Sequence, residues 1–240
     1  TDRGYSNHLV NELYKKGYIE KTEVEIERDP FKNKVFEADK KKALNAEQQE
    51  NFNQIKQSID ARQDDIFLLH GITGSGKTEV YLQAIDVALQ NGQEAILLVP
   101  EISLTPQMAN RFKSRFGDDV AVLHSGLSPG EKYDEWRKIK EGRARVSIGA
   151  RSNIFAPFEN LGIIIIDEEH ETTYKQNERP HYHAVEVAKV RAKYNRCPIV
   201  LGSATPSIET YARAEKGVYK LLELTKRAVN QTPIDISVVD

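Results

Sequence analysis

The stretch Gly71-Ile72-Thr73-Gly74-Ser75-Gly76-Lys77-Thr78 constrains this chain more than any other. It sets two glycines around four residues and follows them with Lys and Thr, the pattern of a loop that cradles phosphate. An apolar run over 66–69 precedes it, long enough for one buried strand, and residues 78–89 put Val80, Ile85 and Leu89 at helical spacing. The loop is therefore predicted to join strand to helix. In that setting glycines let backbone N–H groups curl inward around a polyphosphate, and the helix N-terminus favours negative charge. Gly71, Thr73, Gly74, Ser75 and Gly76 form the predicted cradle, Lys77 reaches the β- and γ-phosphates, and the Thr78 hydroxyl ligates Mg²⁺.

The chain around the loop reads as one repeating pattern. Buried strands are predicted over 94–99, 120–124, 145–148, 161–166 and 199–201, with an edge strand over 221–224. Helices are predicted over 46–60, with Asn45 as N-cap and Phe52, Ile55 and Ile59 inward, and from Pro106 through Phe112. Another follows Ser128 and Pro129, with Tyr133, Trp136 and Ile139 inward. Strands apolar on both sides that alternate with helices predict a parallel doubly wound α/β sheet over 44–225. Before it, a helix over 5–16 and an alternating strand over 22–27 read as the end of a small helix-plus-wing domain in residues 1–30. Lys-rich residues 31–43 read as a linker, and 226–240, with Ile234, Ile236 and Val238 alternating, as the start of a following domain.

Asp167-Glu168-Glu169-His170 follows the most apolar strand. Ligands of such sheets sit at the carboxyl edge, so Asp167 is expected to hold Mg²⁺ and Glu168 to orient and deprotonate an attacking water. The loop over 172–183 then gathers Tyr174, Lys175, Arg179, His181, Tyr182 and His183, the aromatic and cationic mixture that stacks on bases and meets phosphates. The two histidines have no third ligand nearby, so no metal site is read there.

Charge does not announce a polyanionic partner: 34 Lys and Arg face 36 Asp and Glu, a net charge of −2, so any nucleic-acid surface must be local. The basic runs at Arg111-Lys113-Arg115, 137–145 and Lys189–Arg196 read equally well as solvated helix faces. Cys197 is the one cysteine, which leaves neither a disulfide nor a multi-cysteine zinc site within the chain. No apolar run approaches the eighteen or so residues of a membrane span, and the polar start is no signal peptide, so a cytoplasmic protein without membrane partner is expected.

The segments GITGSGKTEVY, LVPEISLTPQ, IGARS, IIIIDEEH and GSATPS, in that order, resemble the first motor lobe of superfamily 2 helicases. With TTYKQ and RPHYHAVEVA added, the chain is similar to the bacterial primosomal replication-restart helicases. The resemblance implies a RecA-like P-loop NTPase lobe preceded by the end of a winged-helix-like DNA-binding domain. It implies that Gln48 reads the adenine edge of ATP, and that His170 and Ser203-Ala204-Thr205 couple nucleotide state to lobe movement. Ser103, Thr105 and Arg151 would touch the DNA backbone, with Tyr174, Lys175, Arg179 and Tyr182 in a loop comparatively light in aromatics for the family.

For the parent protein the resemblance implies a 3′→5′ ATP-dependent DNA helicase acting at stalled forks. Its partners would be single-stranded and forked DNA, single-stranded-DNA-binding protein and primosome loader proteins. The zinc module and the second motor lobe, with the arginines that complete the ATP site, are expected outside this chain, which alone should be nearly inactive. The alternatives are another superfamily 2 translocase or remodeller, a nucleotide-gated platform that recruits partners without unwinding, or a small-molecule kinase. Intact Lys77, Asp167 and Glu168 speak against the platform, and the Ser-Ala-Thr motif has no use in a kinase.

Overall fold

The computed structural model describes residues 6–20 and 39–228. The strand expected over 22–27, most of the linker and the alternating tail beyond 228 lie outside the described residues. Helix α1 (Asn7–Lys15) is capped by the Ser6 hydroxyl and has no buried residue. Helix α2 (Ala46–Asp60) starts at a reciprocal capping box in which Asn45 and Gln48 each bond the other's backbone N–H. There follow β1 (Ile66–Gly71), α3 (Lys77–Gln90), β2 (Glu94–Leu98), α4 (Pro106–Phe116), β3 (Val120–Leu123), α5 (Pro129–Lys140), β4 (Val146–Gly149) and β5 (Leu161–Asp167). A two-stranded pair, β6 (Lys175–Gln176) with β7 (Tyr182–His183), leads into α6 (Ala184–Asn195), β8 (Ile199–Ser203), α7 (Ile208–Glu215) and β9 (Lys220–Leu224).

The large sheet has the order β3-β4-β2-β5-β8-β1-β9, and all its strands are parallel. Strand β5 is central because no side of it tolerates water. Ile163 and Ile165 join the core under α2, α3 and α4, with Phe52, Ile85 and Phe112. Ile164 and Ile166 point the other way, into the core under α5 and α6 with Ile139 and Ala188. All four are fully buried, each contributing about 1.5–3 kcal/mol relative to an exposed position. Parallel pairing with helices on both faces is the arrangement expected from the sequence.

Two expectations need correction. On α5, Tyr133 and Trp136 are 60% and 43% exposed, and only Ile139 of the predicted inner stripe is buried. The helix turns Glu135 inward instead. Its carboxylate accepts from the Val122 N–H of edge strand β3 at 2.8 Å and pairs with Lys138 Nζ at 2.7 Å. The requirement to satisfy a buried backbone donor outweighs the burial of two aromatic rings that keep a polar atom each. Part of the expected linker also belongs to the lobe. Asp39 N–H donates to the Ser114 carbonyl, Lys42 N–H to Glu79, and the Gln83 amide to the Lys42 carbonyl, so residues 39–43 lie along α3 and α4 as part of the lobe. Among the described residues no helix is long and apolar enough to cross a membrane.

Candidate nucleotide site and nucleic-acid face

The phosphate loop hangs between β1 and α3, as its sequence requires. Gly74 and Gly76 have φ of 79° and 85°, left-handed values that a side chain would strain. A Cβ at Gly76 would also fall 2.3 Å from the Gln48 amide nitrogen. That nitrogen donates to the Ser75 carbonyl at 2.7 Å while the Gln48 oxygen accepts from Asn45 N–H, so both ends of the amide are engaged on the loop and its cap. Lys77 Nζ folds back on the Gly71 carbonyl at 2.8 Å. The Ser75 hydroxyl is buried without a partner. On the far side Ile72 N–H donates to the Leu224 carbonyl and Ala228 N–H to the Gly74 carbonyl, so β9 and the residues behind it grip the loop.

The acids stand across the same cavity of about 470 Å³, which Gln48, Lys77, Thr78, Asp167 and Glu168 line. Asp167 ends β5 and accepts from the Tyr81 hydroxyl of α3 at 2.9 Å. Burial raises the Asp167 carboxyl above the ordinary range, and the neighbouring Glu168 charge adds to the rise, with Tyr81 and Lys77 opposing it. Glu168 has φ of 46°, a left-handed value rare outside glycine and asparagine, at the turn where the chain leaves the sheet. Next to it His170 Nδ1 meets the Ser203 hydroxyl at 2.8 Å, and that oxygen accepts from Thr205 N–H at 3.0 Å. The end of β5 is thus tied to the end of β8 at the expected coupling residues, with Ala204 half-buried between them. A basic side chain, a hydroxyl, two acids and an open glycine cradle line one cavity, and these groups fit a magnesium nucleotide.

Two contacts here escape sequence reading. A Cβ at Gly202 would lie 1.6 Å from the Tyr81 hydroxyl, so this glycine is what lets Tyr81 reach Asp167. Glu169, 6% exposed, accepts from Ser207 N–H at 2.7 Å and from the Thr210 hydroxyl at 2.9 Å, which fixes the start of α7.

The expected DNA residues divide. Arg151 donates to the carbonyls of Thr173 and Lys175 at 3.0 and 2.8 Å, and its guanidinium lies 5.9 Å from the Tyr182 ring centroid. Tyr182 also meets Phe155 edge to face at 5.0 Å. Lys175 and Arg179 are exposed. Thr105 is exposed but caps α4 through Met108 N–H, and Ser103 is half-buried in a tight turn. Tyr174 is not available for stacking: it is 1% exposed and donates its hydroxyl to the Asp167 carbonyl at 2.6 Å. The sequence places it in a loop, but the pairing of β6 with β7 folds that loop back and turns Tyr174 into the core. The basic runs are largely structural as well, since Arg115 pairs with Asp86, Arg145 with Asp119, and Arg191 binds the carbonyls of Ile154, Ala156 and Phe158.

A parallel sheet with a phosphate loop after β1, paired acids after β5 and a serine-histidine tie to β8 defines the nucleotide-binding lobe of a helicase-type P-loop NTPase. The chain belongs to the family whose model is described as type III restriction enzyme, res subunit, which matches residues 41–208. Within that class its sequence is similar to the replication restart protein PriA. The Bacillus subtilis (strain 168) protein is 57% identical over 235 residues, 98% of this chain and 29% of that protein. The Chlamydia pneumoniae protein is 45% identical over 234 residues, 97% of this chain and 31% of that protein. The chain therefore spans about three tenths of the length of these relatives. Among solved structures, RecG bound to a three-way DNA junction matches with a TM-score of 0.59 at 24% identity, covering 97% of this chain and 27% of that one. The Pyrococcus furiosus Hef helicase domain matches with a TM-score of 0.51 at 21% identity, covering 72% and 37%. These two likenesses concern the fold, and the resemblance read from the motifs is borne out by the PriA sequences.

Proposed function

We propose that this chain is the ATP–Mg²⁺-binding first motor lobe of a 3′→5′ DNA helicase that restarts replication at stalled or branched forks in the cytoplasm. Its partners are single-stranded and forked DNA, single-stranded-DNA-binding protein and primosome loader proteins, and zinc belongs to another part of the longer protein. The observation that carries the reading is a continuous line of contacts between the two faces of the site. Arg151 grips the backbone on either side of Tyr174, and Tyr174 bonds the backbone of Asp167. A phosphate that draws Arg151 outward shifts Tyr174, and with it the acid that faces the nucleotide.

In this reading Lys77 leaves the Gly71 carbonyl for the β- and γ-phosphates, and the loop N–H groups hold their oxygens. Thr78 and Asp167 would hold magnesium, which would offset the phosphate charge. The Glu168 carboxylate takes a proton from the attacking water, and His170 with Ser203, Ala204 and Thr205 carries the change to the neighbouring lobe. Gln48 reads adenine only by releasing Ser75. Ser103, Thr105, Arg151, Lys175, Arg179 and Tyr182 face the DNA strand. No arginine of this lobe is assigned to the γ-phosphate, and such a finger is worth about 10³–10⁵ in rate.

The reading is tested at both levels. Calorimetry should show weak ADP–Mg²⁺ binding to the 240-residue chain, with phosphate release close to background. Strong DNA-stimulated turnover by this chain alone would refute the two-lobe motor. In the full-length protein, Tyr174→Phe should lower DNA-stimulated hydrolysis while sparing basal hydrolysis, and equal loss of both would break the proposed line.

A further inference from the structure

A second cavity, of about 690 Å³, opens beyond the carboxyl ends of β2, β3 and β4 and shares no lining residue with the nucleotide cavity. That volume is in the range of a site for a small organic group. Trp136 stands in its wall, with Lys132, His124, Arg151, Lys175 and Glu101 around it. Trp136 and Lys132 are four residues apart on α5 and so share one helix face. The ring is 43% exposed because Glu135 occupies the sheet-facing side of the helix, which leaves a large aromatic side chain in the wall of this cavity. Lys132 and Lys175 hold no ion pair among the described residues, and with Arg151 they outnumber Glu101, the one carboxylate in the wall.

We infer that this cavity binds one nucleotide of single-stranded DNA, with the base stacked on the Trp136 indole and the flanking phosphates met by Lys132, Arg151 and Lys175. The inference rests on the DNA-motor reading and deepens it, because it places a base, and not the backbone alone, against this lobe. The physical grounds are the combination present in the wall. An aromatic plane accepts any base by its π-face, and cations on both sides follow the sugar-phosphate chain. An acidic peptide would use the cations but leave the indole plane without a flat partner. The site also explains why the same Arg151 that holds the Tyr174 loop sits at the rim: an occupant of the cavity lies beside the residue that begins the line to Asp167.

The chain contains a single tryptophan, so its intrinsic emission reports Trp136 alone. The 240-residue chain is titrated at low salt with a dye-labelled oligothymidylate and with an abasic oligonucleotide of equal length, which keeps the phosphates and lacks the bases. Anisotropy reports binding in parallel with Trp136 emission. Oligothymidylate should quench the emission saturably, and the abasic strand should bind more weakly and leave the emission nearly unchanged. Trp136→Leu should weaken oligothymidylate binding by at least about 5-fold, the lower end of a base–aromatic stack, without altering abasic binding. Trp136→Phe should retain most of the affinity, and thermal melts confirm that both variants are folded. Oligothymidylate bound with unchanged emission, or with full affinity to Trp136→Leu, overturns the base site and leaves the DNA-motor reading standing. If neither strand binds at low salt, both the base site and the placement of DNA on this lobe are overturned.

Discussion

Gly202→Ala should be among the most damaging single-atom additions to this lobe. A Cβ there lies 1.6 Å from the Tyr81 hydroxyl, 2.8 Å from Tyr81 Cζ and 3.2 Å from an Asp167 carboxylate oxygen. Tyr81 is 1% exposed and packed between α3 and the sheet, so it has no free end to swing away. The ring must shift and release Asp167. Loss of a hydrogen bond to a charged group costs about 1.5–3 kcal/mol. Overpacking a filled core costs about 1–3 kcal/mol more, for a sum of about 2.5–6 kcal/mol. For a chain of 240 residues each kcal/mol is worth about 2–4 °C, which predicts a fall in Tm of roughly 5–24 °C. The assay is a double-mutant cycle by thermal and urea unfolding. Tyr81→Phe removes the atom closest to the new methyl group but leaves Cζ, so Gly202→Ala should cost about 0.5–3 kcal/mol less in that background. ADP–Mg²⁺ affinity should fall in each single mutant, since each leaves Asp167 without its Tyr81 partner. Costs that add within about 0.5 kcal/mol, or a Gly202→Ala melt within 2 °C or so of the parent, would refute the close approach as the reason for the glycine.

Three further outcomes follow from single contacts. Lys77→Ala should weaken ADP–Mg²⁺ binding in calorimetry, whereas Glu168→Gln should keep binding and stop hydrolysis in the full-length protein, because an amide takes no proton. Equal loss of affinity in both would dissolve that division of roles. Glu135→Ala removes the acceptor of the buried Val122 N–H and one partner of the buried Lys138 ammonium, at a cost of about 1–3 kcal/mol, while Glu159→Ala, which breaks a pair with Lys140 at the surface, should leave the urea midpoint nearly unchanged. Cys197 is fully buried and its thiol is pushed up to about 12, first by burial, so it should react with a thiol reagent at neutral pH only as fast as the chain opens.

Most of the fold is legible because its strands are apolar on both sides. Such segments have one stable setting, the middle of a parallel sheet, and their order with helices between them then fixes the class. The phosphate loop and the acids after β5 are legible for a related reason: phosphate chemistry demands glycines, a cation and carboxylates at set distances along the chain. Side chains that satisfy the protein's own polar groups carry no such mark. Glu135, Glu169 and Tyr81 find partners 13, 41 and 86 residues away, and nothing local in the sequence announces them. Tyr133 and Trp136 misled because helical spacing shows which residues share a face but not which face meets the sheet. Tyr174 misled because a stretch rich in Tyr, Lys and His looks like a surface whether or not a hairpin folds it inward. Helix α6 buries Ala184, Val185, Ala188 and Ala192, mostly small residues, so its apolar periodicity is weak.

Strand β1 takes its place between β8 and β9, strands that begin 133 and 154 residues after it. During synthesis the phosphate loop therefore waits for nearly all of the lobe to emerge, while β2 through β5 have already met one another. Such distant pairings are slow to close, and until they do the loop has no flanking strands to hold its shape. The last of them matters most, for Leu224 and Ala228 grip the loop directly and Glu223 receives the Asn51 amide of α2. A chain trimmed to the 41–208 span of the family match would keep every side chain proposed above to meet the nucleotide and lose that grip. It should emerge as a lobe with its phosphate loop on a raw sheet edge, open to strand pairing with a second molecule.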